Sequence, residues 1–353
     1  MRTVLTTVGT SLVTNARKAL GLNMDEAITE AQVANYLRHA EQEKASAETN
    51  SLSRLLQEND GIVFLCSQTE EGKKCAEALR RFYDSRGHRA RLREVRDLNY
   101  TEKRFKMRGL RSLVATLVDL IREERKRGRK VLVNATGGFK AEIAYATLVG
   151  LLFDVPVYYI HEAFREIIEM PPTPISWDYS LLADHEEFFE WLFNQDRPTR
   201  EVDARLRECP PELRLLLSEV EGSTMLSPAG EAFYEAYLDR LETAESVPIL
   251  LSSSAQKAYE AAEPSVREVF DRALRKLRLR DLRVAGSERL SQSDCLVYPR
   301  GHRDERLFYF EGKDGEIYVC ELSRHSDKTY EKLRERTPRF ADYRDFEPWQ
   351  ARF

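Results

Sequence analysis

Along the first half of the chain, short apolar runs alternate with longer stretches whose apolar residues recur every three or four positions. Residues 2–8 read as a strand rich in β-branched side chains, and residues 61–66, 88–95, 130–134 and 155–160 repeat the pattern. Between them, helical spacing appears at Ala76, Leu79 and Phe82, and again at Phe105, Leu110, Leu113, Leu117, Leu120 and Ile121. Strands alternating with helices predict a parallel sheet covered by helices on both faces.

Past residue 177 the pattern changes. Residues 178–194 read as one helix, broken at Arg197-Pro198, with Thr199 as the expected N-cap of the next. Short helices over 201–208 and 211–220, a turn at Gly222-Ser223, and a short strand feeding a last helix complete this stretch. From residue 247 the order becomes β-α-α-β-β-β-α. Pro264 opens the second helix, whose apolar stripe is Val266, Val269, Phe270, Ala273, Leu274 and Leu277. The later strands fall near 293–298, 306–311 and 316–322, with Asp314-Gly315 as a hairpin turn and a final helix from about Asp327. That order predicts an antiparallel sheet packed on two helices.

Charge sharpens these divisions. The net charge of -4 hides +5 over residues 1–177, -11 over 178–247 and +2 over 248–353. Together with a length of 353 residues, this predicts an α/β multidomain chain with units at 1–177, 178–246 and 247–353. No apolar run reaches the ~18 residues of a membrane span, and the N-terminus lacks a signal-peptide layout, so a cytoplasmic protein without membrane contact is expected. Five cysteines form no CxxC pair, which fits a reducing compartment. Six scattered histidines make no cluster at ligand spacing, so neither a metal nor another cofactor is expected.

The candidate chemistry of the first unit sits where strands end. In open parallel sheets ligands bind outside the carboxyl ends of the strands. Here those ends read Gly9-Thr10-Ser11, Ser67-Gln68-Thr69 and Asn134-Ala135-Thr136-Gly137-Gly138. Glycines let a ligand approach the backbone, and a following helix offers free N–H groups to an anion. Lys140 adds a positive charge in that first turn. The pattern points to a phosphate or nucleotide, although it is neither a Walker A loop nor G-x-G-x-x-G.

The stretches TTVGTSLVTN, CSQTEEGKKCAEAL, VLVNATGGFKAEIAYATL and YYIHEAFREIIEMPPTP resemble the CARF domains of CRISPR-associated proteins. The resemblance implies a Rossmann-like sheet, a two-fold homodimer and binding of cyclic oligoadenylate, with cyclic tetra-adenylate the expected activator. It carries Gly9, Thr10, Ser11, Asn15, Ser67, Thr69, Asn134, Thr136, Gly137, Gly138 and Lys140 to the ligand site. It also implies that Ser11 and Lys140 could support ring-nuclease cleavage, in which an adenosine 2′-OH attacks its own phosphate.

Residues 178–246 resemble a winged helix-turn-helix, which implies a DNA reader or a linker. A DNA reader is normally basic, because phosphate neutralisation supplies most of its affinity. The -11 charge therefore points to a linker, and duplex DNA is not an expected partner. The rival reading is a cyclic-oligoadenylate-responsive winged-helix transcription regulator.

The stretches ILLSSSAQKAYEAAEPSVREVFDRALRKL and ERLFYFEGKDGEIYVCELSRHSDKTYEKL resemble the RelE family of mRNA interferases. The resemblance implies an α+β ribonuclease domain that cuts mRNA on the ribosome. It carries over Arg306, Arg324 and Tyr330; the family's paired lysines are missing, and Arg300, His302 and Arg303 stand nearby instead. The residues are coherent chemically. Attack by an RNA 2′-OH needs positive charge at phosphorus, which Arg300, Arg303, Arg306 and Arg324 can supply. His302, His325 or Tyr330 can move the protons. The expectation is an endoribonuclease gated by cyclic tetra-adenylate and needing no metal.

Overall fold

The computed structural model describes residues 1–99, 108–160, 166–173, 175–244, 247–301, 303–313, 315–336 and 338–350. The chain separates into two compact units. One holds Met1–Trp177 with Phe188–Ala236, and the other holds Asp178–Glu187 with Tyr237–Phe353. The acidic segment expected as a middle unit is thus shared between the two.

The first unit is built on β1 (Arg2–Val8), β2 (Gly61–Cys66), β3 (Arg89–Glu94), β4 (Lys130–Asn134), β5 (Val157–Tyr159) and β6 (Ile168–Met170), in the order β3-β2-β1-β4-β5-β6. Every pair is parallel except β5–β6. Central strands β1 and β2 are buried on both faces, which is why they read as continuous apolar or β-branched runs. The helices are α1 (Ser11–Leu20), α2 (Glu30–His39), α3 (Gln42–Ala45), α4 (Ala47–Leu55), α5 (Glu70–Asp84), α6 (Leu110–Lys126) and α7 (Lys140–Leu152). Helix α6 starts at Leu110 among the described residues, so the expected core position Phe105 lies outside them. Leu113, Leu117, Leu120 and Ile121 are fully buried along its inner face.

Three acidic residues of Phe188–Ala236 pair with arginines of this unit. Arg111 on α6 donates to Glu231 (2.7 Å) and Asp196 (3.3 Å), Arg108 to Asp196 (3.1 Å) and Arg122 to Glu235 (2.6 Å). Locally this segment differs from its sequence pattern. The stretch 178–194 is two helices, α8 (Ser180–Asp184) and α9 (Glu186–Phe193). After β7 (Arg197–Pro198), Thr199 begins α10 (Thr199–Arg205) rather than capping it, and its hydroxyl pairs with Thr224 at 2.9 Å. Residues 217–220, expected helical, form β8 (Leu217–Val220). It hairpins to β9 (Ser223–Leu226) through Glu221 and Gly222, both at positive φ. Two adjacent residues at positive φ match the turn that suits a twisted hairpin. Helix α11 (Pro228–Thr243) follows.

The second unit holds β10 (Ile249–Leu251), α12 (Ser253–Ala261), α13 (Pro264–Leu277), α14 (Arg280–Gly286), β11 (Glu288–Arg289), β12 (Leu296–Tyr298), β13 (Glu305–Glu311), β14 (Ile317–Arg324), α15 (Lys328–Arg336) and β15 (Glu347–Pro348). The strands order as β11-β12-β13-β14-β10-β15. The sheet is mixed rather than wholly antiparallel, because β10 pairs parallel with β14. The helical crossover after β10 provides the length that parallel pairing needs. Phe270, Ala273, Leu274 and Leu277 of α13 pack with Ile249, Leu251, Leu307 and Val319 in its core. Gly315 has the positive φ expected of the hairpin turn, while Asp314 lies outside the described residues.

Among the described residues no helix is long and apolar enough to cross a membrane.

Candidate functional sites

In the first unit a cavity of about 660 Å³ opens where β1 and β4 end. Gly9, Thr10, Ser11, Asn15, Thr136, Gly137 and Gly138 all line it. Its size is ordinary for a small-ligand site. The turn is set by close approach. A Cβ on Gly137 would lie 2.1 Å from a Glu48 carboxylate oxygen and 2.5 Å from the Thr7 carbonyl. Gly138 sits at φ +97, where a side chain would be strained and would meet Glu142 at 2.3 Å. Thr7 locks the turn by donating its hydroxyl to the Gly137 carbonyl (2.5 Å).

Of the helices that start beside this cavity, α4 is capped by Ser46, whereas α1 after Thr10 and α7 after Phe139 have no side-chain N-cap. Helices α2, α4 and α5 are each capped, by Thr29, Ser46 and Thr69. Leaving the first-turn N–H groups without a side-chain partner is unfavourable unless water or a ligand meets them. Both uncapped ends converge on one hollow, which suits an anion.

The remaining expected residues have other placements. Lys140 opens α7 and is exposed at the border of the cavity rather than in its lining. Asn134 is fully buried; it donates to Ser51 (2.8 Å) and accepts from Thr136 (2.8 Å), so it orients Thr136 from behind. Asn15 donates to the carbonyls of Lys44 and Ala45, tying α1 to the α3–α4 segment. Ser67 and Thr69 are not brought to the cavity. Thr69 caps α5 through the Gly72 N–H (3.1 Å), and the fully buried Ser67 pairs with Thr69 (2.8 Å).

Sequence reasoning missed two glutamates. Glu48 is fully buried, accepts the Gly9 N–H at 2.8 Å and lies 3.5 Å from the Ser11 hydroxyl. That hydroxyl also accepts the Ala47 N–H (3.1 Å). Glu142 is buried on the other side of the Gly138 turn; burial pushes its carboxyl up to about 7, and the Glu48 charge adds to the effect. Nothing in AETNSL or KAEIAY marks these positions, since an isolated glutamate in a helix normally faces solvent.

The second unit gathers its expected residues near the ends of β13 and β14. Arg306 is buried, and its guanidinium donates to the carbonyls of Gly301 (2.6 Å), Glu305 (2.8 Å) and Arg303. It also lies 5.6 Å from the centre of the Tyr330 ring. Arg324 is exposed, and its Nε donates to Asp304 (2.5 Å). That carboxylate also accepts the Ser326 N–H (3.0 Å). Burial opposes the Asp304 charge, but the Ser326 N–H and Arg324 outweigh it and hold the carboxyl below its usual range. His325 is exposed, with its ring 4.8 Å from that of the buried Tyr330. Arg334, missed by sequence reasoning, approaches the Tyr330 hydroxyl at 3.4 Å. Arg303 donates to the Asp184 carbonyl, and the Arg300 backbone N–H binds the Gly286 carbonyl at 2.7 Å. His302 lies outside the described residues. Among the described residues, no group of three His, Cys, Asp or Glu side chains is placed to hold a metal.

Residues 43–173 match a family of CRISPR-associated proteins, Cas_APE2256. The match covers β2 to β6 with the 134–140 turn. Across 94% of its length the chain also aligns with two solved structures. One is protein VC1899 from Vibrio cholerae, at 9% identity over 83% of that chain with a TM-score of 0.26. The other is Can2 from Sulfobacillus thermosulfidooxidans in complex with cyclic tetra-adenylate, at 8% identity over 82% of that chain with a TM-score of 0.26. Likenesses this low decide nothing about function.

Proposed function

We propose that this chain is an accessory effector of type III CRISPR defence: a cyclic tetra-adenylate sensor joined to a RelE-like endoribonuclease that cleaves mRNA on the ribosome. The observation that carries the reading is the cavity of about 660 Å³ under two uncapped helix starts, within a unit whose residues 43–173 match a CRISPR-associated family. Backbone N–H groups in the first turns of α1 and α7 would face phosphates, and Lys18, Lys44 and Lys140 would add charge-assisted contacts. A homodimer would let two copies present the same residues to the two halves of a symmetric ring.

In the second unit, Arg324 is the exposed cation best placed to meet a scissile phosphate, held in position by Asp304. His325 is the exposed group suited to proton transfer, with Tyr330 and Arg334 behind it. Arg306, already bonded to three carbonyls, would act mainly by shaping the 301–305 turn. The step is attack of a ribose 2′-OH on the adjacent phosphate, leaving a 2′,3′-cyclic phosphate and a free 5′-hydroxyl.

Ring-nuclease action is a second reading with its own observation. Ser11 lies in the cavity and near the buried Glu48 carboxylate, so it could orient a ligand 2′-OH. Converting the ring to linear products ending in a cyclic phosphate would support it; an intact ring after long incubation would leave a pure sensor.

The decisive test of the main reading is to incubate the protein with translating ribosomes, with and without cyclic tetra-adenylate, and map new 5′ ends on the mRNA. Cleavage only with the ring nucleotide is expected. Cleavage in neither condition would overturn the reading.

A further inference from the structure

The opposite end of the first unit's sheet carries a second hollow, of about 370 Å³, lined by Thr3, Asp84, Arg89, Arg91, Arg127 and Arg129 among others. Thr3, Gly61 and Arg89 lie in register at the amino ends of β1, β2 and β3, away from the Gly9 and Gly137 cavity. Arg89, Arg91 and Arg93 alternate along the edge strand and so share a face. Residues 124–130, from the last turn of α6 to the first residue of β4, supply the rest. Together, 89–93 and 124–130 contain eight basic residues and one acidic residue.

That acidic residue is Glu124, fully buried beneath the hollow. It accepts the Thr3 hydroxyl and pairs with Arg91 (2.7 Å), Arg129 (3.0 Å) and Arg127. Burial opposes its charge, yet the Thr3 hydroxyl and these arginines hold its carboxyl below the usual range. Glu123 is shared between Arg91 and Arg93. Asp84 is already taken by Arg80 (2.7 Å) and the Ala90 N–H (3.0 Å). One carboxylate thus anchors three guanidiniums, and positive charge remains in excess. Arg89, Arg93, Arg125, Lys126, Arg127 and Lys130 are exposed.

Charged residues on an edge strand also block strand-to-strand association. That accounts for Arg89, Arg91 and Arg93, but not for 125–130, which lie on another segment. We propose that this surface binds the phosphate backbone of RNA. Arginines two apart on a strand stand about 6.6 Å apart, the scale on which successive backbone phosphates repeat. Guanidinium forks fit phosphate oxygens, and the anchoring by Glu124 limits the side-chain entropy lost on binding. The inference goes beyond the proposed ribonuclease and does not depend on it, although ribosomal RNA would be a natural target if that reading holds.

The test uses the full chain, no cyclic nucleotide and a fluorescein-labelled 20-nucleotide RNA, with anisotropy titrations from 50 to 300 mM KCl. The triple variant Arg89→Gln, Arg127→Gln, Lys130→Gln leaves Arg91 and Arg129 on Glu124. Its affinity should fall at least tenfold, and its salt slope should become shallower by about 2, the value for three lost contacts to a single strand. Unchanged affinity and slope would overturn the proposal. So would wild-type binding to vesicles of anionic phospholipid without binding to RNA, which would make this a membrane surface. Should the variant fold poorly, wild-type protein crosslinked to 4-thiouridine RNA gives an independent answer. Crosslinks within 86–93 and 124–130 are expected. Crosslinks confined to 300–330 would refute this surface while supporting RNA binding by the second unit.

Discussion

The two candidate sites meet phosphate chemistry by different means. The first-unit cavity is lined by backbone, small hydroxyls and the exposed Lys18 and Lys44, with Lys140 at the border. Two buried carboxylates, Glu48 and Glu142, lie against the glycine turn and fix its shape. The second-unit site is made of long charged side chains, most of them already committed. Arg306 holds three carbonyls, Arg303 holds Asp184, and Arg324 leans on Asp304. A site of backbone groups is preorganised by the fold; a site of arginines must be preorganised by partners.

The sharpest way to test that contrast is to separate Arg324 from Arg306. Arg324→Ala should cut ring-activated mRNA cleavage by about 10²–10³, the usual loss for one transition-state donor, without changing the melting temperature. Arg306→Ala should lower cleavage too, but with a stability loss of roughly 3 kcal/mol, because three carbonyls lose their donor. Equal melting temperatures for the two variants would break the distinction.

Glu142 tests how the glycine turn is held. With its carboxyl raised from 4.5 to about 7, the folded chain keeps a proton that the unfolded chain releases between those values. Stability therefore falls as pH rises through that window and stays reduced above it. Glu142→Gln should remove this loss and stabilise the protein at pH 8 by about 2–3 kcal/mol. Glu231, also pushed up to about 7 by burial, should leave a residual slope. Parallel denaturation curves for both proteins at pH 5 and pH 8 would contradict it.

A smaller effect is expected at the rim. Lys140→Ala should weaken cyclic tetra-adenylate binding about tenfold by calorimetry, the scale of one charge-assisted contact. Unchanged affinity would leave binding to the backbone groups and to Lys18 and Lys44 in the lining. Smallest of all, Thr69→Ala should cost about 1 kcal/mol of stability through the lost α5 cap and leave ligand affinity unchanged. A loss of affinity would return Thr69 to the site.

The first unit was the more legible region, and particular residues show why. Strands β1, β2 and β4 fall at the residues their apolar runs predicted, because a strand buried on both faces must be apolar throughout. The 134–140 turn was visible because its glycines answer a local demand, positive φ and close approach. Thr69 was ambiguous because a hydroxyl at a strand end serves equally as ligand group and helix cap, and the structure uses it as the α5 cap. Residues 217–220 misled because a short mixed segment carries no clear period, and the hairpin at Glu221-Gly222 decided them.

Sequence alone determined the alternation of strands and helices, the glycine turn and the basic and acidic blocks, since each depends on neighbours within a few positions. Only the tertiary structure decided what the charges do. It placed Glu48 under Gly9, spent Arg306 on carbonyls, set Asp196, Glu231 and Glu235 against the arginines of α6, and joined 89–93 to 124–130 around Glu124. Apart from the local bonds of Arg306, these pairings reach as far as 120 residues along the chain. The energy of a charge depends on its burial and its partner, and neither is written in its local sequence.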